Sequence, residues 1–147
     1  MATQMEESTG TTLRCEIVTP EGVAFEGDVG MVVVPGEMGE LGVLPRHASL
    51  VSRTRVGEVR VKHLDGSMAW NNMAVGSGYV KMQFDRLLLL VDSAEKGEEI
   101  DTARAQAALE RAERWLSRTG DDAVDTHRAT QSRLRALNRL KVAGKIR

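Results

Sequence analysis

At Asp92 the hydrophobic period of this chain changes, and that change limits the folds open to it. Upstream, Leu13, Cys15 and Ile17 alternate with Arg14 and Glu16, and Val59 and Val61 alternate with Glu58, Arg60 and Lys62. A period of two belongs to a strand with one buried face. Downstream, Ala105, Ala108, Leu109, Ala112 and Leu116 recur at i, i+3, i+4, i+7 and i+11, the stripe of an amphipathic helix. The chain therefore reads as β followed by α.

The β part is cut by turn signals about every 8–12 residues, which points to a sandwich or barrel. Thr19-Pro20-Glu21-Gly22, Leu64-Asp65-Gly66-Ser67 and Gly76-Ser77-Gly78 are such signals. Between them lie an apolar run at 29–34 ending at Pro35-Gly36, an alternating stretch at 56–62, and Met68-Ala69-Trp70 followed by Met73-Ala74-Val75. Residues 79–82 form a further strand, and the continuous run at 87–91 is the pattern of a strand buried on both faces. Aromatics make up only 3%, so Val, Leu, Met and Ala must build the core. Cys15, the single cysteine, excludes an intramolecular disulfide and falls on an alternating position, where it reads as a small buried hydrophobe.

Residues 93–99 are polar and read as a linker. Asp101 suits an N-cap, and its charge suits the positive end of the helix dipole. Gly120-Asp121-Asp122 is expected to break the first helix and cap a second. That second helix carries Leu134, Leu137 and Val142, with Ala129, Ala136 and Leu140 near the stripe. The outcome is an antiparallel αα-hairpin with a thin, alanine-rich seam. Burying an alanine stabilises far less than the roughly 1.5–3 kcal/mol of a buried leucine. The hairpin should close on itself yet hold weakly to the sandwich, free to change position at a cost of a few kcal/mol.

Net charge is only −1, but it is unevenly placed. Residues 1–100 carry nine Lys/Arg against fifteen Asp/Glu, and 101–147 carry eleven against six, so the two parts meet different surroundings. No acid occurs among residues 126–147, where Arg133, Arg135, Arg139, Lys141, Lys145 and Arg147 suit an acidic protein surface. Nucleic acid is disfavoured there because stacking aromatics are missing. Residues 1–12 read as a disordered lead-in without the basic start and apolar run of a signal peptide. No apolar stretch approaches the roughly 20 residues that span a bilayer, so direct membrane insertion is not expected and an intracellular chain is.

The stretch PGEMGELGVLPRHASL looks at first like a phosphate cradle. A Walker loop needs GxxxxGK[ST] and a dinucleotide loop GxGxxG before a helix; Gly36, Gly39 and Gly42 fit neither. They read as loop positions with positive φ. His47 has no nucleophile motif nearby, and His63 and His127 lie in other elements, so neither a triad nor a metal site is indicated. This is not the sequence of an enzyme. Arg111, Arg114 and Arg118 on the first helix, with Arg128, Arg135 and Arg139 on the second, could instead face one anion if the hairpin closes, since guanidinium groups suit phosphate.

Together VVVPGEMGELGVLPRHASL, GSGYVKM, LLLLVDSAE and EEIDTARAQAALERAERWL resemble the ε-subunit family of F-type rotary ATP synthases, the subunit called δ in mitochondria. The resemblance implies a lead-in (1–12), an N-terminal β-sandwich of about ten strands (13–97) and a C-terminal helical hairpin (98–147). It implies a non-catalytic rotor subunit that couples γ to the membrane c-ring. An extended hairpin would reach the α and β subunits and inhibit ATP hydrolysis. The setting would be the cytoplasmic face of a bacterial inner membrane. Glu40 matches a position that meets the c-ring, and His47 one near γ. No cofactor is required, but some bacterial members bind one ATP in the compact hairpin as a regulatory ligand. The matching residues are Glu95, Asp101, Arg104, Ala105, Arg111, Arg128 and Arg135. Trp115 departs from the pattern, standing where some ATP-binding members carry Arg, and the connection at 120–125 is a residue longer. The arginine-lined hairpin alone would also fit a free-standing nucleotide-sensing or adaptor module of the same fold.

Overall fold

The computed structural model describes residues 12–64, 69–118 and 125–145. Ten strands come first: β1 (Leu13–Thr19), β2 (Gly22–Val29), β3 (Met31–Gly36), β4 (Gly39–Val43), β5 (Leu50–Thr54), β6 (Gly57–Lys62), β7 (Trp70–Val75), β8 (Gly78–Gln83), β9 (Arg86–Val91) and β10 (Ala94–Lys96). A 3-10 turn at Gly97–Glu99 leads into α1 (Thr102–Ser117) and α2 (Thr126–Val142). The strand path runs β10-β7-β6-β3-β5-β8-β9-β1-β2, with β4 on the free side of β3. Only one residue pair, Gly36 with Thr54, joins β3 to β5. At that pair the path divides into the two layers of a sandwich, as the turn spacing implied. All pairings are antiparallel except β1 with β9.

The inward halves of the strands form one core. Leu13, Cys15 and Ile17 of β1, Val59 and Val61 of β6, Val80 and Met82 of β8, and Leu87, Leu89 and Val91 of β9 are all buried in it. Period-two alternation thus placed Leu13, Cys15, Ile17, Val59 and Val61 correctly.

Several sequence expectations are corrected. The run at 87–91 is not buried on both faces, because Leu90 is exposed and Leu88 half-buried on the outer side. The strand enclosed on both faces is β3, whose residues 32–36 are all buried. It lies between β4 and β6, and Pro35 packs so close to Gly57 that a β-carbon there would stand 2.6 Å away. The apolar run at 29–34 is also split, Val29 ending β2 and Met31 beginning β3. Residues 94–96, read as linker, pair with Met73, Ala74 and Val75 as an edge strand. A polar three-residue strand leaves no hydrophobic signature, since its pairing is made by backbone groups. The turn at 65–68 lies outside the described residues, although β6 and β7 on either side of it pair antiparallel.

The three glycines of the opening loop do not share a cause. Gly39 alone has a positive φ, 135°. Gly36 is there for space, since a β-carbon would sit 2.7 Å from the Gly39 carbonyl oxygen across the β3–β4 turn. Gly42 fits closely against the methyl end of Met31 instead. Positive φ appears unannounced elsewhere, at Arg46, Phe84 and Asp85. Phe84 and Asp85 make the two-residue turn between β8 and β9, a place usually filled by Asn-Gly. The Asp85 carboxylate accepts a hydrogen bond from the Arg46 backbone N–H, so the strained residues are tied together.

Asp101 caps α1 as expected, its Oδ1 accepting from Arg104 N at 2.9 Å. The cap of α2 is Asp125, which accepts from Arg128 N at 3.0 Å; the expected Gly120-Asp121-Asp122 lies outside the described residues. The seam of α2 is also rotated from the one read in the sequence. Ala136 and Leu140 are buried with Ala105 and Leu109, whereas Leu134 is exposed. This small cluster is separate from the sandwich core. The ion pair between Arg133 and Glu113 shows the antiparallel register of the helices.

Burial raises the Cys15 thiol from its ordinary 9.0 to about 12, with the neighbouring Glu16 charge adding to the effect. Below pH 9 folded and unfolded chains both keep the proton. Between pH 9 and about 12 the unfolded chain loses it while the folded chain holds it, so stability falls as pH rises. We expect native protein at pH 8 to resist thiol alkylation and to react only at the rate of unfolding. Rapid stoichiometric labelling of folded protein would contradict the burial of Cys15.

Candidate functional site

The hairpin meets the sandwich through polar side chains of α2. Arg139 Nε and Nη2 donate to the two carboxylate oxygens of Glu95 on β10 at 2.8 and 3.0 Å. One residue earlier, Asn138 Nδ2 donates to the Gly57 carbonyl oxygen at 2.8 Å. The Arg139 and Glu95 side chains are only 26% and 31% exposed, so this two-point pair is less screened than a surface ion pair.

Of the six arginines expected to face one anion, four are divided between two clefts, and Arg114 and Arg118 line neither. One, of about 480 Å³, opens between the helices and is lined by Arg111, Ala112 and Trp115 of α1 and by Asp125, Arg128 and Ala129, with Ala108 and Ser132 at its edge. The other, of about 580 Å³, lies between hairpin and sandwich and includes Glu95, Arg135 and Arg139. Ala108 and Ser132 border both, so the two are neighbours. Among the described residues, no carboxylate pairs with the Arg111 or Arg128 guanidinium.

The remaining positions fall elsewhere. Asp101 is occupied as a cap, and the exposed Arg104 lines neither cleft. Ala105 is completely buried in the hairpin seam. Asn138 and Trp115 were missing from the expected set, and Arg139, expected to face an anion, is engaged with the Glu95 carboxylate instead. For Arg139 no local signal existed, because its partner Glu95 is 44 residues away in sequence.

Glu40 and His47 are not brought together, since one stands at the start of β4 and the other beyond its end. Glu40 pairs with Arg60 at 2.9 Å, and that guanidinium also stacks 5.9 Å from the Trp70 ring. His47 Nδ1 lies 2.8 Å from the Ala48 carbonyl oxygen, which only accepts, so Nδ1 carries the proton. His63 bonds to Asn71, and His127 is exposed on α2. Among the described residues no group of three or more His, Cys, Asp or Glu side chains is placed to hold a metal ion. No helix among them is long and apolar enough to cross a membrane.

The outer face of the β5–β8–β9 layer carries side chains that water does not favour. Tyr79 stands directly opposite Leu90, and Val51 lies diagonally beside Tyr79. Their exposures are 55%, 47% and 73%, with half-buried Leu88 and Val18 on the same face. Arg53, opposite Tyr79, and Lys81, opposite Val51 and Leu88, border this cluster, and an exposed apolar centre with a charged rim marks an interaction surface.

Two family models account for nearly the whole chain: the β-sandwich domain of the ATP synthase Delta/Epsilon chain matches residues 12–97, and its long alpha-helix domain matches 98–144. An ATP synthase epsilon chain from Desulforamulus reducens is 42% identical, over 90% of this chain and 97% of its own length. Another from Halalkalibacterium halodurans is 45% identical, over 91% and 98%. Among solved structures, a chain of the Euglena gracilis mitochondrial ATP synthase shares the fold, with a TM-score of 0.66 at 20% identity over 95% of this chain and 85% of its own. With both domains matched in order and relatives above 40% identity along their full length, the chain belongs to the ATP synthase delta/epsilon family.

Proposed function

We propose that the sandwich docks on the γ subunit through the outer face of β5, β8 and β9. In this reading the β4 end carrying Glu40 meets the c-ring, and the hairpin moves between a compact form and an extended one that reaches α and β and inhibits hydrolysis. Family membership already makes the chain a non-catalytic subunit of the ATP synthase central stalk. The docking reading rests on one observation: Val51, Tyr79 and Leu90 form an apolar face that this chain does not itself cover. A free-standing sensing module would have no use for such a face. The working place would be the cytoplasmic side of a bacterial inner membrane, reached through the complex. The test is a titration of the chain onto purified γ. Leu90→Glu should weaken binding by about a hundredfold, the scale of a desolvated central contact. Unchanged affinity would remove this face from the interface.

The mobile hairpin is supported by the separation of the two apolar clusters. With no shared core, the compact form depends on the Arg139–Glu95 pair and the Asn138 bond. A charged hydrogen-bonded pair contributes about 2 kcal/mol, so Glu95→Ala should shift the balance toward the released hairpin about thirtyfold. Tryptic cleavage within α2 should then accelerate at least tenfold while the sandwich stays intact. An unchanged cleavage rate would show that the pair does not hold the hairpin.

ATP, in this reading, stabilises the compact form by binding to the hairpin arginines. Arg111 and Arg128 in the interhelical cleft, and Arg135 in the neighbouring one, supply cationic donors. Glu95, Asp101, Arg104 and Ala105 help by holding the surrounding structure: a tie, a cap, the capped N–H and a seam residue. A ligand at one hundred times its Kd adds about 2.7 kcal/mol, which is comparable with the tie it reinforces. Calorimetric titration of the full chain with ATP should give a binding isotherm, and Arg128→Ala should weaken it about tenfold. The absence of heat at millimolar ATP would dispose of the nucleotide role.

A further inference from the structure

The outer face of the layer β5-β8-β9-β1-β2 is ordered in rows that run across the strands. One row holds Arg53, Tyr79, Leu90, Val18 and Val23, each directly opposite the next. The neighbouring row holds Val51, Lys81, Leu88, Glu16 and Glu26. Residues opposite one another share a face of the sheet, so both rows lie on the side away from the core. The hairpin rests on β6 and β7, in the other layer.

Charge divides this face about β9. Arg53 and Lys81 stand on the β5–β8 side, and Glu16 and Glu26 on the β1–β2 side. Glu26 is taken by Arg14 at 2.7 Å. Among the described residues, neither Glu16 nor Lys81 has a partner of opposite charge. They flank Leu88 from its two sides. A basic margin and an acidic margin around an apolar centre make a surface that a second copy of itself can complement.

Two sheets stacked face to face keep their strands within about 30° of each other. A twofold pairing of this layer with itself then has two axes to choose from. An axis across the strands would set β8 over β8, bringing Lys81 to Lys81 and Glu16 to Glu16. An axis along β9 sets β8 of one copy over β1 of the other. Lys81 then meets Glu16 twice, Tyr79 covers Val18, and Leu88 and Leu90 pack on their own counterparts. Arg86 faces its copy in this arrangement, but it is exposed at the margin, where salt screens the pair.

We infer that a second copy of this chain covers this face, in a dimer whose twofold axis runs along β9. The inference stands on the charge pattern and not on the γ reading. Because both use one face, the dimer and the γ-bound form exclude each other, and the dimer shields apolar surface until γ is met. The contact is closed by its symmetry, so it ends at two copies.

The test is sedimentation equilibrium of the full chain alone, carried to about 1 mM so that even a millimolar Kd is seen. Wild type should show a monomer–dimer equilibrium, and Leu90→Glu should abolish it. Lys81→Glu sets like charges together twice and should weaken the dimer at least about tenfold. Adding Glu16→Lys to that variant should restore wild-type dimerisation, which a merely structural effect would not do. Protection of Cys15 from alkylation checks that each variant is folded, and Tyr79→Glu replaces Leu90→Glu if that one is not. A chain that stays monomeric overturns the dimer, as does a dimer that Leu90→Glu leaves intact. A charge swap that restores nothing overturns the axis and with it the proposal. The γ titration is read separately: loss of γ binding in Leu90→Glu by a chain that never dimerises keeps docking and removes the dimer. Unchanged γ binding beside a lost dimer does the reverse.

Discussion

Arg139 reaches from α2 to the Glu95 carboxylate on a three-residue edge strand, and in the reading proposed above the placement of the hairpin depends on that contact. Two polar ties connect elements whose apolar clusters do not merge. Hydrogen bonds weaken steeply with distance and angle, so a contact of this kind is either made or lost. A shared apolar interface would loosen by degrees. The hairpin seam, with two alanines and two leucines at its centre, keeps the helices together without binding them to the sandwich. The separation of the two apolar clusters follows from the sparing use of large hydrophobes in the hairpin.

The sandwich shows the complementary design. Its inward residues fill one core, while Val51, Tyr79, Leu88 and Leu90 on the outer side of β5, β8 and β9 form an apolar cluster, rimmed by Arg53 and Lys81, that the folded chain leaves partly uncovered. The run at 87–91 carries this information in a form that misleads when the chain is taken alone. Five consecutive apolar residues describe a strand buried on both faces, and here one cover comes from the fold itself. The other cover, in the docking reading, is a partner. Read this way, Leu88 and Leu90 record the assembly and not the domain.

Much of the fold could be read locally. Alternation placed Cys15, Ile17, Val59 and Val61 inside, and an aspartate before a helical stripe announced the cap of α1. Phase along α2 was harder, because Leu134 and Leu137 compete with Ala136 and Leu140 for one seam and only the facing helix decides between them. β10 escaped notice because its pairing uses backbone groups that every sequence possesses. The arginines of the candidate site were identifiable by type. Their sorting into two clefts was not, since it depends on which turn of α1 lies against which turn of α2.

By itself, then, the sequence determined the order of the two parts, the inward faces of β1 and β6, the first helix cap and the shortage of apolar area in the hairpin. These follow from period, local hydrogen-bonding chemistry and composition, all of which act between near neighbours. Tertiary structure alone decided that Glu95 meets Arg139, that Ala105 is sealed in the seam, and that Trp115 shares a cleft with Arg111 and Arg128. Those contacts depend on the rotation of one helix against another and on where the pair rests on the sheet. Both are set by packing between distant residues, and no local pattern carries them.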